Sequence, residues 1–291
     1  MDSDNRIGEF LRARREQVRP EDVGIADLGR RRVPGLRREE LAMLSGVSAD
    51  YYVRLEQGRD QHPSPQVLDA LARALRLDDA ATIHLHELAV PAPRRRRRSP
   101  SRPERVRPGV LRLMNSWPQS PAFVISRRMD VLAANPMARA LSPICQVGVN
   151  GVRATFLDPA VRALYPDFEK EAADTVAVLR ASVGPDLDDP RLIELVGELS
   201  LKSEDFRRLW ARHDVRDKSD GDKRFDHPLV GRLELRYETL GVSGPEGQSL
   251  VVYHAEPGSS SAQGLALLSS MVAADRQPAF NPADSTLGPR A

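Results

Sequence analysis

The sequence predicts a multidomain chain: an all-α domain of five helices, then an α+β domain with an antiparallel sheet. Three observations carry this. Residues 36–59, LRREELAMLSGVSADYYVRLEQGR, read as two short helices about a tight turn. Residues 91–108, PAPRRRRRSPSRPERVRP, cannot bury apolar surface and divide the chain. Beyond them, the apolar runs 121–126 and 131–135 and the alternating stretch 231–242 have strand patterning, with helical stretches between. Grouped strands with helices over one face make an α+β fold.

Composition narrows the function classes. A chain of 291 residues fits roughly two domains and needs no disulfide staples. Its single cysteine, Cys145, permits no intramolecular disulfide. The first residues, MDSDNRIGEF, have no apolar signal region, and no run approaches the ~18 apolar residues of a membrane helix. A soluble, cytoplasmic protein is expected. Residues 1–108 hold 22 Arg and Lys against 17 Asp and Glu, whereas residues 109–291 hold 21 against 24. A basic first part suits a nucleic-acid partner.

Residues 6–16 form the first helix, with Ile7, Phe10 and Leu11 on one face. Residues 18–36 make a long connection carrying Arg30-Arg31-Arg32. That loop either lays cations along a phosphate backbone or simply covers the core. The next helix has Leu41, Ala42 and Leu44 as its apolar face and stops at Gly46, which takes the left-handed conformation without a Cβ penalty. Ser48 is placed to cap the following helix, in which Tyr52 and Leu55 share a face. Two short helices joined by such a turn are a helix-turn-helix. Helices over 65–75 and 78–90 complete the domain. His84 and His86 are two apart, cannot share a helix face and make no metal site.

Ala42, Gly46, Val47, Tyr52 and Leu55, followed by Glu56-Gln57-Gly58-Arg59, resemble the DNA-binding domain of the phage repressor and Cro superfamily, the XRE type. The resemblance implies that helix 49–57 enters the major groove of an operator in double-stranded DNA. Arg54 then suits guanine, Asp50 the amino group of cytosine and Ala49 a thymine methyl, with Ser48 at the cap and Tyr51 on phosphate or base. Arg37, Arg38 and Arg59 suit phosphates, which position without specifying. The arginine run of the linker either adds counterion-release affinity or is a spacer.

In the second half a strand hairpin (121–126, 131–135) leads into a short helix opened by Asn135 and Pro136. Helical segments follow: an opening turn at 155–164 and helices at 166–182, 190–200 and 203–212. Strands 231–242 and 249–257 pair across SGPEG, and a last helix precedes a polar tail. Polar groups in apolar context are Asn150, Arg153, Tyr165, Trp210, His213 and His227.

AANPMARAL, NGVRATFLDPAVRALYPDF, DDPRLIELVGELSLKSEDFRRLWARHDV, HPLVGRLELRYETL and LVVYHAEPGS resemble the ligand-binding domain of MmyB-like transcription regulators, as GRRRVPGLRREELAMLSGVS resembles their N-terminal part. That family, common in actinomycetes, pairs an XRE-type domain with a PAS-like one. The division implied is a DNA-binding domain at 1–90, a linker at 91–108, a PAS-like ligand-binding and dimerisation domain at 109–273, and a tail at 274–291. The resemblance implies a homodimer with a pocket for a fatty-acid-like ligand and no cofactor. A carboxylate in an apolar pocket needs a cation or several donors. Asn150, Arg153 and His213, with Tyr165 and Trp210, are the candidates; alternatively these residues tie helices to the sheet.

The expected function is a sequence-specific, ligand-responsive transcription regulator. No phosphate-binding glycine loop, metal-ligand spacing or nucleophile elbow supports an enzyme, and His213 beside Asp214 is not a dyad by adjacency. The alternative is a DNA-binding regulator whose second domain only dimerises or binds a protein.

Overall fold

The computed structural model describes residues 5–25, 33, 35–60, 62–90, 104–184, 188–217, 219–244 and 247–274. The Arg30-Arg31-Arg32 loop, most of the 91–108 linker and the tail after residue 274 lie outside the described residues.

Five helices form the first unit: α1 (Arg6–Gln17), α2 (Arg38–Ser45), α3 (Ala49–Glu56), α4 (Pro65–Ala74) and α5 (Asp79–Ala89). Their ends are set by local chemistry. Gly46 ends α2 at φ 69°. Ser48, Ser64 and Asp78 each accept a backbone N–H of the helix they precede, those of Tyr51, Val67 and Ala81. Phe10, Leu11, Leu36, Leu41, Tyr52, Leu55, Leu71 and Leu85 are fully buried at the centre. Each of the leucines and Phe10 contributes about 1.5–3 kcal/mol by leaving water.

Charge is buried there as well. Glu56 ends α3 inside the domain and receives Nε of Arg15 at 3.0 Å and Nη2 of Arg38 at 2.7 Å. Arg15 also donates to the Leu36 carbonyl at 2.7 Å. One carboxylate thus joins α1, α2 and α3. Burial alone would raise the Glu56 carboxyl, but the hydrogen bonds from Arg15 and Arg38 outweigh it and hold it below its ordinary range.

The second unit opens with α6 (Pro108–Asn115), a helix the periodicity did not announce. Its sheet has strands β1 (Ala122–Ile125), β2 (Val131–Ala134), β3 (Asp220–His227), β4 (Gly231–Val242) and β5 (Gln248–His254), in the order β2-β1-β5-β4-β3. All neighbours are antiparallel. The hairpin pairs Phe123 with Ala134, and β4 meets β5 with Tyr237 opposite Tyr253. β3 was not expected. DGDKRFDH carries an early glycine and three aspartates, residues depleted in strands, yet it pairs with β4 along its whole length.

Between β2 and β3 run α7 (Pro136–Leu141), α8 (Gly151–Leu157), α9 (Pro159–Leu164), α10 (Phe168–Val183), α11 (Pro190–Lys202) and α12 (Glu204–Ala211); α13 (Ser260–Ala274) follows β5. The helical turn expected at 155–164 is two short helices, because Asp158 ends one and caps the next, with Pro159 first inside. Phe123, Ile125, Phe225, Leu233 and Val251 pack beneath α7, α9 and α13. Ala122, Val124 and Leu250, on the other face, pack against Met114 of α6. A further apolar cluster joins α8, α10, α11 and α12 around Phe206.

The two units touch. Val215 is buried in the cluster of the first unit, with Ala181 of α10 packed beside it. Arg14 of α1 meets Asp214 at 2.7 Å, Gln17 donates to the Arg212 carbonyl, and Arg6 pairs with Asp188.

Candidate DNA-binding surface and ligand cavity

In the helix-turn-helix, α3 faces the core with Tyr52, Leu55 and Glu56 and presents Ala49, Asp50 and Arg54 to solvent. Ser48 is exposed while its Oγ accepts from the Tyr51 N–H at 3.1 Å. Tyr51 is half-buried, with the Arg54 guanidinium 5.8 Å from its ring centre. Arg37 and Arg59 are exposed at the flanks. Arg38 differs from the simple phosphate-facing expectation, because Glu56 takes two of its donors at 2.9 and 2.7 Å. Its side chain stays 47% exposed, so an outer edge is still open to solvent.

A cavity of about 900 Å³ lies between the inner face of the sheet and α10. Phe123, Ile125, Val131, Leu141, Ile144 and Phe225 give it an apolar wall. β3 sends Lys223 into it, because Lys223 and Phe225 are two apart and share a face of the strand. Lys223 Nζ lies 2.8 Å from Glu171 of α10 and 5.4 and 5.9 Å from the ring centres of Tyr165 and Tyr237. Burial would lower the Lys223 ammonium, but Glu171, together with Tyr253 and Tyr165, more than offsets it and holds it well above its usual value. Burial also raises the hydroxyls of Tyr165 and Tyr253. Lys223 is therefore a cation around neutral pH, with the aromatic faces of Tyr165 and Tyr237 about it. Gly221, across from Tyr237 in the β3–β4 register, leaves room for that ring: a Cβ there would lie 2.8 Å from the phenol oxygen.

A model of the ligand-binding domain of MmyB-like transcription regulators matches residues 106–268, more than half the chain, and a helix-turn-helix domain model matches residues 6–85. The chain belongs to the MmyB-like transcription regulators. It is a DNA-binding regulator whose two matched regions are regulatory rather than enzymatic. Comparison with curated proteins gives no match.

Of the five residues expected at the ligand in this MmyB-like regulator, Tyr165 alone lines the cavity. Asn150 is buried but fully engaged as the cap of α8. It accepts from the Arg153 N–H at 2.9 Å and donates to the Arg128 carbonyl and to Asp130 at 2.7 and 2.9 Å. Arg153 lies on the surface, paired with Glu198 at 2.8 Å. Trp210 stacks on Phe206 in the helical cluster. His213 lies at the contact with α1, its ring 6.4 Å from that of Phe10. His227 bonds the Ala140 carbonyl at 2.9 Å. Asn150 and His227 thus link a helix to the sheet or its hairpin turn, whereas Arg153, Trp210 and His213 meet other helices. The cavity's polar members Lys223, Glu171, Tyr237 and Tyr253 were missed. For Lys223 the signal was the alternation Lys223, Phe225, His227, hidden by a segment that did not look like a strand.

Proposed function

We propose that this regulator binds its operator as a homodimer in the cytoplasm and changes its DNA affinity when a hydrophobic small molecule fills the cavity. The observation that carries the proposal is the cavity itself, apolar along one wall and, among the described residues, with one largely buried ion pair at its back. Aliphatic and aromatic walls with few convergent polar groups are what small-molecule sites are made of. The sheet order, with helices over its inner face, supports the PAS-like architecture implied by the family resemblance. On the DNA side, exposed Arg54, Asp50 and Ala49 are the base readers, Ser48 and Tyr51 support them, and Arg37, Arg59 and the open edge of Arg38 meet phosphates.

The route from cavity to operator runs along α10. Glu171, Asp174, Thr175 and Val178 line the cavity, and Arg180 and Ala181, one turn further, face the first unit. The segment 212–217 is tied to the same helix by the Arg216 N–H on the Ala177 carbonyl. A ligand that shifts α10 therefore shifts what α1 rests on, and coupling requires that the two states of α10 bind the ligand unequally.

Native mass spectrometry of freshly purified protein tests this. A dimer carrying a hydrophobic small molecule is expected. A ligand-free protein whose DNA affinity is indifferent to added amphiphiles would favour a second domain that serves assembly or a protein partner.

A further inference from the structure

The head group that the cavity accepts is constrained by its charges. Among the described residues five cations line it, and each already has a carboxylate. Lys223 meets Glu171 at 2.8 Å. Lys170 and Arg216 both meet Asp174, at 2.8 and 2.6 Å. Arg224 meets Asp167 at 3.0 Å and Arg236 meets Asp222 at 3.5 Å. Eight carboxylates share the lining with those five cations, so the cavity is acid-rich. Burial separates the pairs. Lys223 and Glu171 have side chains only 14% and 12% exposed, whereas the partners in the other pairs range from 27% to 85%. The outer pairs form a solvated mouth, and the inner pair sits where the apolar wall begins.

A carboxylate head meets two obstacles. It crosses an acid-rich mouth, and at the back it finds Lys223 committed. If it takes one of the ammonium's other donors it lies beside Glu171, so two largely buried carboxylates share one cation, an arrangement that like-charge repulsion and desolvation disfavour. An ammonium head meets the mirror problem beside Lys223. An uncharged head avoids both. The ammonium has three N–H donors and the carboxylate several acceptor positions, so the pair can donate to and accept from a third group without changing its net charge.

We infer that the cavity selects an uncharged amphipath. Its hydroxyl- or amide-type head sits on the Lys223–Glu171 pair and its chain lies among Phe123, Ile125, Leu141 and Phe225. This rests on the cavity being a ligand site, and it replaces the carboxylate of a fatty-acid-like ligand with a neutral head.

Three probes with one chain and different heads decide it: decanol, decanoate and decylamine, titrated into the full-length protein at neutral pH by calorimetry below their aggregation concentrations. Decanol is expected to bind about tenfold or more tightly than either charged probe. Decanoate or decylamine binding as tightly as decanol would overturn the inference while leaving the ligand site standing. If none of the three binds, the ligand site itself fails. Glu171→Gln adds a second arm, because it frees the Lys223 charge. Decanoate is then expected to gain about tenfold relative to decanol, and an unchanged order would contradict the role given to the pair. Should that variant not fold, the wild-type order still decides.

Discussion

The guanidinium of Arg180 lies 4.0 Å from the centre of the Trp210 ring and donates to the Trp210 carbonyl at 2.6 Å. It is 1% exposed, and among the described residues it has no ion-pair partner. Around it stand His84 of α5, Phe10 of α1 and His213, with Asp214 and Glu9 as the acids whose fields reach it. Burial lowers the guanidinium to about 10, against the smaller opposing pull of those acids. A cation held by a ring and a carbonyl sits where the DNA-binding unit meets the helix that lines the cavity.

Coupling through this junction is testable by Arg180→Met. A buried charge without a carboxylate is replaceable by an apolar chain at little cost, or with a gain in stability. The variant is expected to fold and to bind operator, but to lose most of the change in DNA affinity that a cavity ligand causes. Anisotropy titrations with and without decanol check this; an undiminished ligand effect would remove Arg180 from the route.

The same junction makes stability depend on pH. Burial, then Arg180, depress His84 to about 4; burial, then Arg180, His84 and Arg14, depress His213 to about 3. Both rings are neutral in the folded protein and charge in the unfolded chain near 6.5. Below that value the unfolded chain binds more protons, so the stability these groups contribute is present above it and is lost as pH falls toward 4. Urea unfolding between pH 7 and 4.5 is expected to show a falling midpoint. The double variant His84→Gln with His213→Gln is expected to flatten part of that slope.

Glu56→Gln removes the buried counter-charge of Arg15 and leaves it only the half-exposed Glu16, 3.6 Å away. A loss of about 3–5 kcal/mol is expected, read by denaturant unfolding of the full chain. DNA affinity should fall on every sequence alike, because α1, α2 and α3 lose their common tie.

Arg54→Ala is expected to cost about 1–3 kcal/mol and to relax one base position, whereas Arg59→Ala should weaken all sequences alike and lower the salt slope by about one. Competition titrations against single-base operator variants separate the two.

The first unit was legible in the sequence because its signals are local. Gly46, Ser48 and the spacing of Tyr52 and Leu55 each fix one turn of backbone. The sheet's β1, β2, β4 and β5 were also legible from apolar runs and alternation. β3 was not, since its place is decided by pairing with β4 rather than by its own residues. The cavity was read least well for the same reason. Lys223 and Glu171 are 52 positions apart in sequence and belong together only through the fold. Asn150 and Arg153 drew attention as polar residues among apolar ones, but a cap and a surface ion pair explain both.

The most direct test of a regulator that reads DNA through α3 is selection of bound duplexes from a random pool by the full-length protein. Enrichment of a two-fold symmetric site with half-sites about 10–10.5 base pairs apart, or a multiple of that, is the predicted result, with Arg54→Ala losing preference at one position in each half. No enrichment, or an enriched site that Arg54→Ala reads unchanged, would contradict it.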